Sequence, residues 1–363
     1  MRRACLLFVI TLSFIFPAIV SAAELKVHRL FGPESPGRYK HPASITQLDS
    51  GDFYLVYYGG SGEYGADTAV YGSRRKRGSS DWSPPKVIAD TPGRSEGNAV
   101  VWQAPDGKIW LFYLTRYGKT WSTSRIKAKL SIDGAHTWSD PLMLAFELGM
   151  MVRAHPIVLA DGDYLLPVYH ETGNDRELVG DDSTSLFLRY HRATGVWSET
   201  NRIHARLGCI QPAVAAINDK DLVCYCRRGG GYEPRNDGWL VRSQSHDGGR
   251  TWTAGKETKF PNPNAAVDFI RLQNGHLLLV YNDSMNDRTP LCVAISTDDD
   301  KSYPYRRNIA EGKGSFAYPT AIQAHDGKIH VIFTSHDRTV INEAVFDEAW
   351  VPQAKPAGRS TGP

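Results

Sequence analysis

The sequence is short of net charge, of cysteine and of long apolar runs. Across 363 residues, Lys plus Arg number 42 and Asp plus Glu 39, a balance of +3. So small an excess excludes a function built on bulk attraction to nucleic acid or to an anionic membrane. There are 5 cysteines. Cys5 lies in the N-terminal apolar run, which leaves Cys209, Cys224, Cys226 and Cys292. Cys224 and Cys226 stand two apart, on one strand face amid apolar neighbours, so buried free thiols are expected rather than bridges. No second Cys pair or His pair stands at ligand spacing, and no metal site is expected. Gly229-Gly230-Gly231 neither follows a strand nor opens a helix. It is no phosphate cradle, and no cofactor is expected.

The single long apolar run is at the start. Met1-Arg2-Arg3 precedes Ala4 to Val20, and Ser21-Ala22-Ala23 follows. A charged head, an apolar middle and small residues at the end read as a signal peptide over residues 1–22, cut after Ala22 or Ala23. The run is at the short end for a membrane span and Pro17 breaks it. The expected product is soluble and secreted or periplasmic, with no membrane attachment after cleavage and a net charge near +1 once Arg2 and Arg3 are gone. Hydrophobic residues at 41% and charged residues at 22% allow a packed core. The 33 Gly and 21 Pro point to many turns and to β structure.

Internal repetition organises the rest. Six times an apolar run meets a tight polar turn and a second apolar run. The turns are Ser50-Gly51, Asp106-Gly107, Asp161-Gly162, Asp219-Lys220, Asn274-Gly275 and Asp326-Gly327, and their second residues are spaced 56, 55, 58, 55 and 52. Such pairs supply the positive φ of two-residue hairpins. Trp82, Trp138, Trp197, Trp252 and Tyr303 keep step at intervals of 56, 59, 55 and 51. Two markers in phase predict an all-β fold, a six-bladed β-propeller over residues 23–350 with four strands per blade. Leu25 to Leu30 should complete the last blade beside Val340 to Phe346, and residues 351–363 should form a loose tail. The closed ring is expected to be a monomer.

The second marker has a recognisable form. Ser245-His246-Asp247-Gly248-Gly249-Arg250-Thr251-Trp252 fits S-x-D-x-G-x-T-W throughout. Ser131 to Trp138 fits except at Ala135, and Ser296 to Tyr303 is a worn copy. This is the Asp box, and over nearly all of its length past the signal the sequence resembles bacterial sialidase-like proteins with BNR repeats. The resemblance implies a structural role for the box: its Asp and Ser bond turn backbone and its Trp packs between blades.

In a propeller, residues just before the first apolar run of each repeat, and just after the second, converge at one mouth of the central channel. Here they include Lys40, His41, Glu63 and Asp67; Asn98, Arg116 and Tyr117; Arg153, His155, His170 and Glu171; Gln211, Arg227 and Arg228; Asp268, Asn282, Asp283 and Arg288; and Tyr318, His336 and Arg338. Guanidinium, carboxylate, imidazole and phenol groups gathered in this way suit an anionic sugar.

The resemblance assigns roles within this set. Sialidases grip the substrate carboxylate with three Arg, protonate with an Asp, and attack with a Tyr assisted by a Glu, an exception to the two-carboxylate rule. Asp67 then takes the acid/base role, with Glu63 in reserve, and Tyr318 is the nucleophile. Arg227 and Arg288 are two of the arginines. Lys40 or His41, in Lys40-His41-Pro42, stands where the first belongs, and Gln211 stands where the Glu belongs. Arg153, His155 and Asp268 complete the expected substrate contacts. Two departures follow. Lys lacks the planar fork of Arg, and Gln211 cannot take a proton from Tyr318. Ionising a phenol at pH 7 costs roughly 4 kcal/mol without help, and Glu171, His155 or Asp268 could replace the missing base. The expected function is an exported exo-glycosidase acting on a glycan that ends in an acidic sugar. The alternatives are a polysaccharide lyase on uronate-containing glycan and a binding propeller without catalysis.

Overall fold

The computed structural model describes residues 23–352. The expected signal peptide and residues 353–363 of the expected tail lie outside the described residues. Six antiparallel sheets are arranged as a six-bladed β-propeller. The strands nearest the axis are Tyr39–Gln47, Ser95–Gln103, Cys209–Ala216, Asp268–Arg271 and Ala317–Gln323, with a broken one, Met150–Val152 and Ile157–Val158, in the third blade. Pro156 lies in that break, as expected of a residue that cannot donate to a ladder. Strand runs such as Leu277–Asn282 are buried along their whole length, because neighbouring blades cover both faces of each sheet. The last blade takes its outer strand from the other end of the chain: Lys26–Phe31 pairs antiparallel with Val340–Phe346, in the place the repeat predicted. The packed body runs on to Val351, buried in the cluster shared by the fifth and sixth blades.

The hairpin turns differ from the two-residue form expected. Leu48 N–H donates to Asp52 O at 2.8 Å and Gly51 N–H to Leu48 O at 2.7 Å, with Gly51 at φ +85°. That is a three-residue loop in which a type I turn is followed by a left-handed glycine. The same bonds recur at Gly107, Gly162, Gly275 and Gly327, all at positive φ. Glutamine ties three of these turns to adjacent blades: Gln47 Oε1 accepts from His325 N, Gln103 Oε1 from Asp49 N and Gln323 Oε1 from Gln273 N, at 2.7, 2.7 and 2.6 Å.

The Asp boxes brace the outer turns. Asp247 accepts from Arg250 N, Thr251 N and Thr251 Oγ1 at 2.9, 2.9 and 2.6 Å, while Ser245 Oγ reaches it at 2.8 Å. Asp133 repeats the pattern with Ser131, His136 and Thr137. The box tryptophans sit between blades: Trp252 stacks on Phe187 at 4.1 Å and Trp138 lies 6.1 Å from Tyr54. Cys209, Cys224, Cys226 and Cys292 are buried free thiols.

Candidate active site

At one mouth of the channel the axial strands share a local distortion. Pairing with the next strand slips between Lys40 and Ala43, Gly97 and Val100, Ile210 and Ala213, and Ala317 and Thr320. Asn98, Gln211 and Tyr318 stand inside these bulges with φ of 40°, 55° and 55°. A left-handed non-glycine residue is unfavourable and tends to persist where a side chain must be re-aimed. Here the bulges bring those three side chains to one cavity, and Glu63, Tyr169, Glu171, Arg227, Tyr232 and Arg338 line it with them.

Tyr318 is its centre. The ring is buried and lies 4.0 Å from the His41 ring, edge to face. Its hydroxyl accepts from Arg227 Nη1 at 2.9 Å. Arg288 Cζ lies 5.4 Å and Arg153 Cζ 5.5 Å from the ring centroid. Burial opposes ionisation of the phenol, but Arg227, Arg288 and Arg338 outweigh it and hold the pKa below its ordinary value. The difficulty posed by Gln211 is thereby eased: cations, rather than an adjacent base, favour the phenolate.

Arg227 is held on all sides. Its Nε donates to Asn264 Oδ1 at 2.6 Å, its Nη1 also to Gln211 Oε1 at 3.3 Å, and its Nη2 to the Tyr232 hydroxyl at 2.9 Å. Gln211 therefore serves as an acceptor for Arg227. Its amide also donates to the Tyr169 hydroxyl at 3.4 Å, which Asn98 Nδ2 reaches at 2.9 Å. Arg288 comes from the loop after Leu277–Asn282 and donates to Asn264 O at 3.1 Å and to the Tyr232 hydroxyl at 3.5 Å.

Three carboxylates line the cavity, Glu63, Glu171 and Glu177. Glu63 Oε2 is paired with Arg338 and accepts from the Tyr39 hydroxyl at 2.9 Å. Arg338, at φ +64° in the turn before Val340–Phe346, also donates to Tyr39 at 2.8 Å. Glu171 follows directly on Tyr164–His170. Burial pushes its pKa up, Arg227 partly opposes this, and the carboxyl is pushed up to about 7. Among the described residues no three His, Cys, Asp or Glu side chains converge as a metal centre would need.

Of the remaining expected site residues, His41 and Arg153 stand against Tyr318 and the others lie apart from it. Lys40 is buried, but its Nζ donates to Ser35 O at 3.0 Å and Gly37 O at 2.5 Å, within the loop before its own strand. Of the pair at that position, His41 is the one beside Tyr318; its Nδ1 meets Thr334 Oγ1 at 3.0 Å. Asp67 shares a loop with Glu63 but is exposed, and its carboxylate caps Ser61, accepting from N at 3.0 Å and Oγ at 2.7 Å. Arg153 forms a floor beneath Tyr318, donating to Thr320 Oγ1 at 3.0 Å and Pro319 O at 2.5 Å. Asp268 is a strut between blades that accepts from Ala321 N at 2.6 Å; burial pushes it up to about 6. His155 bonds Ser44 Oγ at 3.0 Å and is depressed to about 4 by burial and by Arg153. Asp268 and His155 line a separate cavity of about 530 Å³, at the turn end of the channel. Arg338, Tyr169 and Tyr232 had no assigned role in the sequence reading. Only Arg338 carried a signal, as a polar strand-end residue of the sixth repeat.

Comparison with known proteins accords with this architecture. The BNR repeat-like domain model matches residues 51–331. No curated protein sequence matches the chain. A solved microbial sialidase, Hadza Hz136, superposes with a TM-score of 0.75 at 15% identity, over 90% of this chain and 69% of that one. The intramolecular trans-sialidase of Ruminococcus gnavus gives 0.72 at 12% identity, over 90% and 98%. The α-L-arabinofuranosidase Arb93A of Fusarium graminearum gives 0.66 at 12%, over 90% and 98%. At these identities the likeness is one of fold, and that fold carries glycosidases acting on different sugars. No helix among the described residues is long and apolar enough to cross a membrane. The chain belongs to the BNR repeat-like domain family and has the six-bladed propeller of the sialidases.

Proposed function

We propose that this protein is an exported, monomeric exo-glycosidase that removes a terminal acidic sugar from a glycan. The observation that carries the reading is the buried Tyr318 phenol, bonded to Arg227 at 2.9 Å and flanked by Arg288 and Arg153. Four guanidiniums, with Arg338, stand around one phenol, and only Arg338 is paired with a cavity carboxylate, Glu63. That excess of positive charge suits a sugar carboxylate, with Arg227 and Arg288 as its grip.

In this reading the Tyr318 oxygen attacks the anomeric carbon as the glycosidic C–O bond breaks. The departing oxygen needs a proton. Glu171, held near 7, is partly protonated at neutral pH and can give that proton, then take one from the water that later frees the sugar from Tyr318. Glu63, already paired with Arg338, keeps that guanidinium in place. Asp67 is assigned the role of a turn cap. The candidate sugars are the sialic acids, related keto-sugar acids and uronates. Incubation with fluorogenic sialosides and uronides tests the proposal: release of the free acidic sugar, lost in Tyr318→Phe, is the expected result. Saturable binding with no product from any of them favours a binding propeller, and an unsaturated ultraviolet-absorbing product favours a lyase.

A further inference from the structure

The arginines that would grip a substrate carboxylate already hold a hydroxyl. Tyr232 Oη accepts from Arg227 Nη2 at 2.9 Å and from Arg288 Nη2 at 3.5 Å. Its ring also lies against both guanidiniums, at 5.9 and 5.5 Å. Yet the residue is 41% exposed. The backbone before it is pinned, since Asn264 Nδ2 donates to Gly230 O at 2.8 Å and Arg228 Nη1 to Gly229 O at 2.9 Å. The cavity beneath holds only about 30 Å³, close to one water and far below a sugar ring.

We infer that Tyr232 is a displaceable plug, its hydroxyl seated where a ligand carboxylate will sit, and that it sets a threshold which an acidic sugar, gripped by the two arginines, passes and a neutral sugar does not. The inference deepens the glycosidase reading and rests on it for the charge of the ligand. A phenol is a neutral acceptor. A carboxylate makes charge-assisted, two-pronged bonds to guanidinium that are roughly twice as strong. A neutral sugar cannot repay the loss of the Tyr232 contacts, whereas an acidic one can. Because Gly229 to Gly231 are fixed, the opening movement is a swing of the Tyr232 side chain, not a lifting of the loop.

The test is calorimetric binding of N-acetylneuraminic acid and of its methyl ester to the wild-type chain, Tyr232→Phe and Tyr232→Ala. Removing the competing hydroxyl should tighten binding of the acid roughly tenfold in Tyr232→Ala, with a smaller gain in Tyr232→Phe, and raise the much weaker binding of the ester by the same factor. A crystal soaked with the acid should show Tyr232 turned out and the carboxylate on Arg227 and Arg288. Equal or weaker binding of the acid by both variants overturns the plug, as does a soaked structure with Tyr232 Oη still on both arginines. Tighter binding without turnover of any glycoside sustains the plug while the glycosidase reading fails. Turnover with no gain in affinity sustains the glycosidase and ends the plug.

Discussion

The Tyr318 hydroxyl accepts a hydrogen bond from Arg227 Nη1 at 2.9 Å, although the two residues are 91 positions apart. A cation donating to a phenol oxygen favours the ionised form. Arg227→Leu should therefore move the Tyr318 titration to higher pH. Phenolate absorbance, taken as a difference against Tyr318→Phe, reports the shift. Tyr318→Phe itself should lower kcat/KM on an accepted glycoside by roughly a thousandfold or more while the fold persists. Unchanged titration in Arg227→Leu would separate the two residues functionally.

Glu171 links activity to stability. The folded protein holds its proton up to about 7, against an ordinary value of 4.5, so the native state binds more protons than the unfolded chain between those limits. Stability on this account falls as pH rises from 4.5 to about 7, then levels off. Glu171→Gln should match the wild type below pH 4.5 and exceed it above pH 7 by roughly 3 kcal/mol. Urea titrations at pH 4 and pH 8 measure this. The same variant should lose the pH-dependent limb of the activity profile near neutrality.

The two acidic residues of the first-blade loop should behave differently. Asp67 caps Ser61 at the surface, and Asp67→Asn should leave kcat within a few-fold of the wild type. Glu63 anchors Arg338 and Tyr39. Glu63→Gln weakens a charged contact into a neutral one and should raise KM roughly tenfold. Steady-state kinetics of both variants on one substrate decide between them. A collapse of kcat in Asp67→Asn alone would return the acid role to Asp67.

The Asp boxes should affect stability and not chemistry. Asp247→Ala removes acceptors for two backbone amides and two hydroxyls. It should cost about 2 kcal/mol in denaturant unfolding, with KM unchanged. A changed KM with normal stability would give the box a part in binding.

Thiol chemistry offers a direct check of the core. Cys209, Cys224, Cys226 and Cys292 are buried and unbridged, with 4.0 Å between the sulfurs of Cys224 and Cys226. Native protein should resist alkylation at these positions, and unfolded protein should take up the label at all of them without reductant. Labelling that requires reductant would reveal a bridge.

The fold was written in the phase of two periodic markers, because turns and inter-blade aromatics must recur once per blade. The Tyr318 and Arg227 pair was legible for the same reason, since equivalent ends of equivalent strands meet at one mouth. The assignment of Lys40 or His41 stayed open because strand alternation alone does not reveal a bulge, and the slip between Lys40 and Ala43 decides which side chain reaches the axis. Arg338 was visible only as one polar strand end among many. Its pairing with Glu63 spans 275 positions and depends on a left-handed turn that no local pattern marks. Tyr232 gave no signal at all, lying in a loop after the glycine run.

The pairing of Lys26–Phe31 with Val340–Phe346 has a consequence for biogenesis. The sixth blade cannot be finished until Val340–Phe346 has been synthesised, because its outer strand precedes the other five blades and its remaining strands follow them. A nascent chain emerging from the ribosome therefore stays open, with no closed circle to lock it. Joining Leu25 to Val351 through a linker and cutting a different blade's outer hairpin should give a permuted propeller with the same circle and a different order of closure.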